Sequence, residues 1–127
     1  LAGISSRPDF VGLLYTGPSI LTANPKAPIP IDVPPAFIAS ASYGGKRHTI
    51  WSTDYYMAML RLEVPNIELH LYGNGGHGGG ITDRGRIPFG TWPDRFIDWF
   101  RDLGFLQKPG IPTKAAQDTA AQLSAQK

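Results

Sequence analysis

A chain of 127 residues is long enough for one domain with its own core, and 42% apolar against 17% charged residues places it among globular rather than disordered proteins. The net charge is +2 and the basic residues are scattered along the chain from Arg7 to Lys127, a poor basis for nucleic-acid binding. There is no cysteine, which excludes disulfides, thiolate metal sites and a cysteine nucleophile, and no apolar run approaches the ~20 residues of a membrane span.

Taken in chain order, DFVGLLY from Asp9 is a short run of β-formers between Pro8 and Gly17, too short for a helix and apolar enough for a strand buried on both faces. Thr16 to Pro35 then carries six prolines in twenty residues, which denies a helix its geometry and a strand its donors. A long loop is expected there. AFIASA, Ala36 to Ala41, reads as a second buried strand, followed by the turn-like SYGGKRHT. Next, Ser52 is placed to cap a helix whose apolar positions Tyr56, Met59, Leu60 and Val64 keep helical spacing, with Pro65 and Asn66 ending it. IELHLY, Ile67 to Tyr72, is the third strand.

The glycine loop comes after it, and beyond that Thr91 is expected to cap a helix, with Asp94 three residues on as in a capping box. Trp92, Phe96, Trp99, Phe100 and Leu103 form its apolar stripe, and Gly104 suits its stop. Residues 1–108 are thus one unit, and the polar, alanine-rich tail 109–127 is expected to be a peripheral helix or disordered. Strands alternating with helices predict an α/β fold with about three parallel strands flanked by helices. Two amphipathic helices barely cover both faces of such a sheet, which suggests a piece of a larger one.

The loop GNGGHGGG, Gly73 to Gly80, admits several readings. Its first six residues spell G-x-G-x-x-G after a strand, but a dinucleotide site also needs a helix to start inside the glycine run, and here Pro88 and Gly90 intervene. A metal could be held by His70 and His77, with His48 or Asp83 joining only through the fold, yet the spacing is no regular zinc pattern. The loop could be a flexible surface turn with a solvated His77. The remaining reading makes His77 a general base, since an imidazole that must reach a hydroxyl needs close backbone approach and unusual φ/ψ, both supplied by glycine.

PPAFIASASYGG, YYMAMLRLEVPNIELHLYGNGGHGGG and WPDRFIDWFRDLGF together resemble the C-terminal part of the α/β-hydrolase superfamily. The branch is that of acetylxylan-esterase-like and feruloyl-esterase-like carbohydrate esterases, related to dienelactone hydrolases and prolyl oligopeptidases. The likeness runs from about residue 6 to residue 106 and is carried by Val64-Pro65 and Gly76-His77-Gly78 at their spacing. It implies the C-terminal half of an α/β-hydrolase fold over 1–108, with His77 as the general base of a serine-type carboxylic-ester hydrolase and no cofactor or metal. The implied substrates are acetyl or hydroxycinnamoyl esters of plant polysaccharide, or short-chain esters. A secreted or periplasmic location would follow, although the compartment is not fixed by the residues themselves.

The sequence departs from the family pattern in two ways. No G-x-S-x-G is present, and Ser5, Ser6, Ser19, Ser40, Ser42, Ser52 and Ser124 lack the glycine flanks. The implied partner is therefore an N-terminal hydrolase segment that carries the serine. In addition, the turn where the resemblance expects the triad aspartate reads Ser42-Tyr43-Gly44-Gly45-Lys46-Arg47. Asp54 and Asp32 are the candidate substitutes. Tyr15, Tyr43 and Trp51, at strand ends or in loops, are candidates for a substrate pocket, with core or rim packing as the plainer role. A non-catalytic, degenerate binding module is the alternative that the missing acid favours.

Overall fold

Eight consecutive residues of AFIASASY extend as the central strand because alternate side chains can be buried on opposite faces of a sheet. The computed structural model, which describes Gly3, residues 5–81 and residues 88–127, is an α/β arrangement with one open parallel sheet. Strand β1 (Val11–Leu14) pairs with β2 (Ala36–Tyr43), which pairs with β3 (Glu68–Asn74), in the spatial order β1-β2-β3. Val11 lies opposite Ala36 and Phe37 opposite Glu68, so all three strands run in one direction.

The two faces of β2 are covered differently. Phe37, Ala39 and Ala41 point into an aromatic core with Phe89, Trp92, Trp99 and Leu103, contributed by a 3₁₀ turn (Pro88–Thr91) and a helix at Trp92–Asp102. Phe10, Phe96, Phe100 and Phe105 close this core with tilted and edge-on ring contacts, the geometry aromatic pairs prefer. Ile38 and Ser40 face the other way, toward a helix at Lys46–Arg61 whose Thr49 hydroxyl donates to the Ala41 carbonyl at 3.0 Å.

We number the helices α1 (Ile20–Ala23), α2 (Lys46–Arg61), α3 (Trp92–Asp102) and α4 (Lys114–Ala125). The proline-rich segment contains the single turn α1, where a helix was excluded; four residues between Pro18 and Pro25 fit without a proline inside the turn. Helix α2 begins at Lys46, six residues before the expected Ser52. Gly45 occupies the cap position without a side-chain hydrogen bond, and Ser52 is instead 0% exposed inside the helix. A small residue there fits where α2 packs on β2. Thr91 precedes α3 as expected, but its hydroxyl donates to the Pro88 carbonyl, so no capping box forms.

Gly104 ends α3 at φ 80°, with Gly104 N–H donating to Arg101 O and Phe105 N–H to Phe100 O, the paired bonds of a Schellman stop. Of the two expectations for the tail, the helix is the one observed. Thr113 caps α4 by accepting from Ala116 N–H at 3.1 Å, and Ala115 enters the aromatic core at 3% exposure. Asn66 donates to Asp118 and Gln122 to the Leu62 carbonyl, fastening α4 to the turn between α2 and β3. Among the described residues no helix is long and apolar enough to cross a membrane.

Candidate active site

Parallel strands bring their carboxyl ends to one edge, and the segments that leave that edge are where α/β sheets place ligands. Here the segments are Tyr15-Thr16 after β1, Gly44 to His48 after β2, and Gly75 to Gly80 after β3. The last two touch. Gly76 N–H donates to the Tyr43 carbonyl at 3.1 Å, and a Cβ on Gly44 would stand 3.1 Å from the Gly76 Cα. Gly75 is more confined, because a Cβ there would lie 2.6 Å from the Phe89 Cβ and 2.8 Å from the Ala41 Cβ. The loop thus turns back over the core at a distance open only to a residue without a side chain.

This path delivers His77 onto His48. The two rings stack with centroids 3.9 Å apart and planes 15° from parallel, and Tyr15 presents its ring to His77 at 5.5 Å and 76°. His77 is itself exposed, so its imidazole is both held and reachable. His48 stands in the first turn of α2 with Nδ1 3.0 Å from the Thr16 carbonyl oxygen. A carbonyl can only accept, so Nδ1 carries the proton, and in the neutral ring the Nε2 lone pair is left available. Trp51 meets His48 edge-on at 5.3 Å, and the Arg47 guanidinium lies 5.9 Å from the Trp51 ring.

Tyr15 is anchored separately. Its hydroxyl accepts from Gly80 N–H at 2.7 Å, while the Gly80 carbonyl accepts from Trp92 Nε1 at 3.1 Å. Its backbone is left-handed at φ 55°, an uncommon state for a non-glycine residue that its ring contact with Phe89 and its hydroxyl bond help to hold.

Of the residues expected from sequence, Tyr15 and His77 come together, and Trp51 joins them through His48 from within α2 rather than from a loop. Tyr43 contributes its carbonyl to the loop, while its side chain is 76% exposed at the strand end. The two candidate acids are not brought to the site. Asp32 precedes β2 and lines an open groove of about 580 Å³ with Pro30, Tyr55 and Met59. The length of β2, about 25 Å for eight residues, separates it from the carboxyl edge. Asp54 is exposed on α2, six residues and about 9 Å of helix rise beyond His48, and it lines a shallow cleft with Pro25 and Arg61. Among the described residues no carboxylate hydrogen-bonds either stacked imidazole.

The pairing of His70 with His77 as metal ligands does not occur. His70 lies on the α3 side of β3, where its Nε2 is 2.5 Å from Glu68 and its ring stacks on Phe37 at 5.2 Å. Burial favours the neutral form of Glu68, but hydrogen bonds from Arg95 and His70 outweigh it and hold the carboxyl below its ordinary value. Among the described residues no group of three or more metal-ligating side chains forms. The dinucleotide fingerprint needs a helix that begins inside the glycine run, and among the described residues the helix that follows the run, α3, begins only at Trp92. Asp83 lies outside the described residues.

Sequence reasoning gave His48 no role in a catalytic site. The signal was present in GGKRH: with α2 starting directly after Gly45, His48 falls in its first turn, at the same edge of the sheet as the His77 loop. Comparison with protein families, curated proteins and solved structures finds no match to this chain.

Proposed function

We propose that the chain is the C-terminal half of an α/β-hydrolase domain and that the protein hydrolyses carboxylic esters, with His77 as general base. The observation that carries this reading is the placement of His77: an exposed imidazole at the carboxyl edge of a parallel sheet, held by His48 and Tyr15 on a loop that the glycines press against the core. A histidine left to solvent would need none of this support. In the proposed reaction a serine hydroxyl from a polypeptide segment outside these residues attacks the ester carbonyl. His77 accepts the hydroxyl proton and returns it to the departing alcohol, and water repeats the sequence on the acyl-serine. Substrates are acetyl or hydroxycinnamoyl esters carried on polysaccharide, or short-chain esters, with Tyr15 and Trp51 supplying aromatic surface beside the base.

The test is hydrolysis of 4-nitrophenyl acetate by the protein and by its His77→Ala variant. Loss of turnover on the order of 10³-fold or more supports the reading, and an unchanged rate rejects it. Among the described residues no carboxylate is bonded to His77, which favours a second reading, a non-catalytic module that keeps the hydrolase-like shape to bind a partner. An unchanged rate would select it.

A further inference from the structure

We infer that His48 is a positioning residue for His77, a neutral imidazole that fixes the ring of the base by stacking where a carboxylate would otherwise fix it by hydrogen bonding. The inference rests on the esterase reading above.

A base that takes a proton during the reaction has two needs: a fixed orientation beforehand and a favourable surrounding for the cation it becomes. A triad carboxylate meets both through a hydrogen bond to one ring nitrogen. Here the turn after β2 has glycine in place of the acid, and the side chain that arrives at the loop is His48. Its ring lies flat against His77 at 3.9 Å, so orientation is supplied through a face rather than an edge. The same contact serves the cation, since an imidazolium is attracted to the π face of a neutral aromatic ring.

For this to work, His48 must stay neutral and still. The bond from Nδ1–H to the Thr16 carbonyl selects one tautomer and stops rotation about the ring axis, and the Trp51 edge at 5.3 Å backs the other part of the ring. A phenyl ring would provide the face without the anchoring bond. Histidine provides both, which distinguishes the role from simple core filling.

His48→Ala and His48→Phe are compared with the parent protein in 4-nitrophenyl acetate hydrolysis and in long-range ¹H–¹⁵N spectra of the histidine rings. The expected result is a loss of kcat of about tenfold in His48→Ala with KM unchanged, and recovery to within about threefold in His48→Phe. In the spectra of the parent, His48 carries its proton on Nδ1, and the His77 ring signals move in His48→Ala and return toward their parent positions in His48→Phe. An Nε2-protonated His48, or His77 signals indifferent to both substitutions, overturns the stack. Hydrolysis that needs His77 but proceeds at the parent rate in His48→Ala overturns the role of His48 alone, whereas hydrolysis that ignores His77→Ala overturns the esterase reading on which it rests.

Discussion

Gly75→Ala is the substitution that most directly tests how the loop is built. A Cβ at this position would lie 2.6 Å and 2.9 Å from Phe89 carbons and 2.8 Å from the Ala41 Cβ, whereas carbons sit comfortably at about 3.5–4.0 Å. Something must therefore move by about 1 Å. Ala41 is fixed in the central strand, and Phe89 is 1% exposed and wedged between Tyr15 at 4.9 Å and Tyr72 at 5.1 Å, so neither can yield cheaply. Overpacking of this kind costs about 1–3 kcal/mol, or roughly 4 °C in Tm per kcal/mol for a chain of this size.

Gly73→Ala, two residues earlier in β3, is the control. Its Cβ meets nothing within 4 Å and its φ is not left-handed, so removing a flexible residue from a strand is expected to add about 0.5–1 kcal/mol. The assay is urea unfolding, read as a change in midpoint at constant m. The reasoning is refuted if Gly75→Ala unfolds within about 0.5 kcal/mol of the parent, or if Gly73→Ala is equally damaging. In the esterase assay Gly75→Ala should lose activity as well, because the loop it displaces carries His77.

Tyr15→Phe keeps the ring but leaves Gly80 N–H without its 2.7 Å acceptor, and is expected to cost about 1 kcal/mol in the same urea assay. Thr113→Ala removes the cap of α4 and should cost about 1 kcal/mol, with amide exchange rising first along α4 and at the Leu62–Asn66 turn it holds. The folded state lowers the Glu68 carboxyl from its ordinary value of 4.5, so this group's contribution to stability is full above that pH and is lost as pH falls below it, through the folded value. Glu68→Gln should therefore be less stable than the parent at pH 7 and show a shallower loss of stability below pH 4.5, measured as thermal midpoints across that range.

The three strands were legible because DFVGLLY, AFIASA and IELHLY are short apolar runs set between breakers, and strand alternation with helices points to a parallel sheet; the structure trims the first to Val11–Leu14, extends the second by Ser42-Tyr43, and shifts the third to Glu68–Asn74. The aromatic stripe of α3 and its Gly104 stop were likewise written at helical spacing. The start of α2 was not. Capping rules favour serine over glycine, and they favour acidic rather than basic residues in a first turn, yet α2 starts at Gly45 with Lys46 and Arg47. Packing overrides both preferences. The Gly44-Gly45 turn must pass close to Gly76, and a Cβ on Gly45 would meet the Ala41 carbonyl oxygen at 2.4 Å. Misplacing that cap by seven residues, at Ser52 instead of Gly45, moved His48 from a helix at the edge of the sheet into an apparent loop, and so hid its contact with His77.

The two glycine turns are therefore one device, although sequence presents them as separate features about thirty residues apart. A hydrogen-bonded triad acid needs only its carboxylate to reach one ring nitrogen, and a flexible side chain can make up for imperfect backbone placement. Stacking two imidazoles face to face leaves less freedom, since each ring is carried on a single methylene and the two planes must lie nearly parallel, here 15° apart. The backbones that carry them must then approach closely, and removing the side chains at Gly44 and Gly75 permits that approach. On the esterase reading, glycine in the turn after β2, where that reading expects the acid, and His48 in the first turn of α2 compensate for one another. Restoring a carboxylate by Gly44→Asp would strain a residue at φ 78°, crowd Gly76 and separate the rings, so activity should fall in that variant rather than rise. A Gly44→Asp protein that hydrolyses 4-nitrophenyl acetate faster than the parent would show that the site lacks an acid and has no substitute for it.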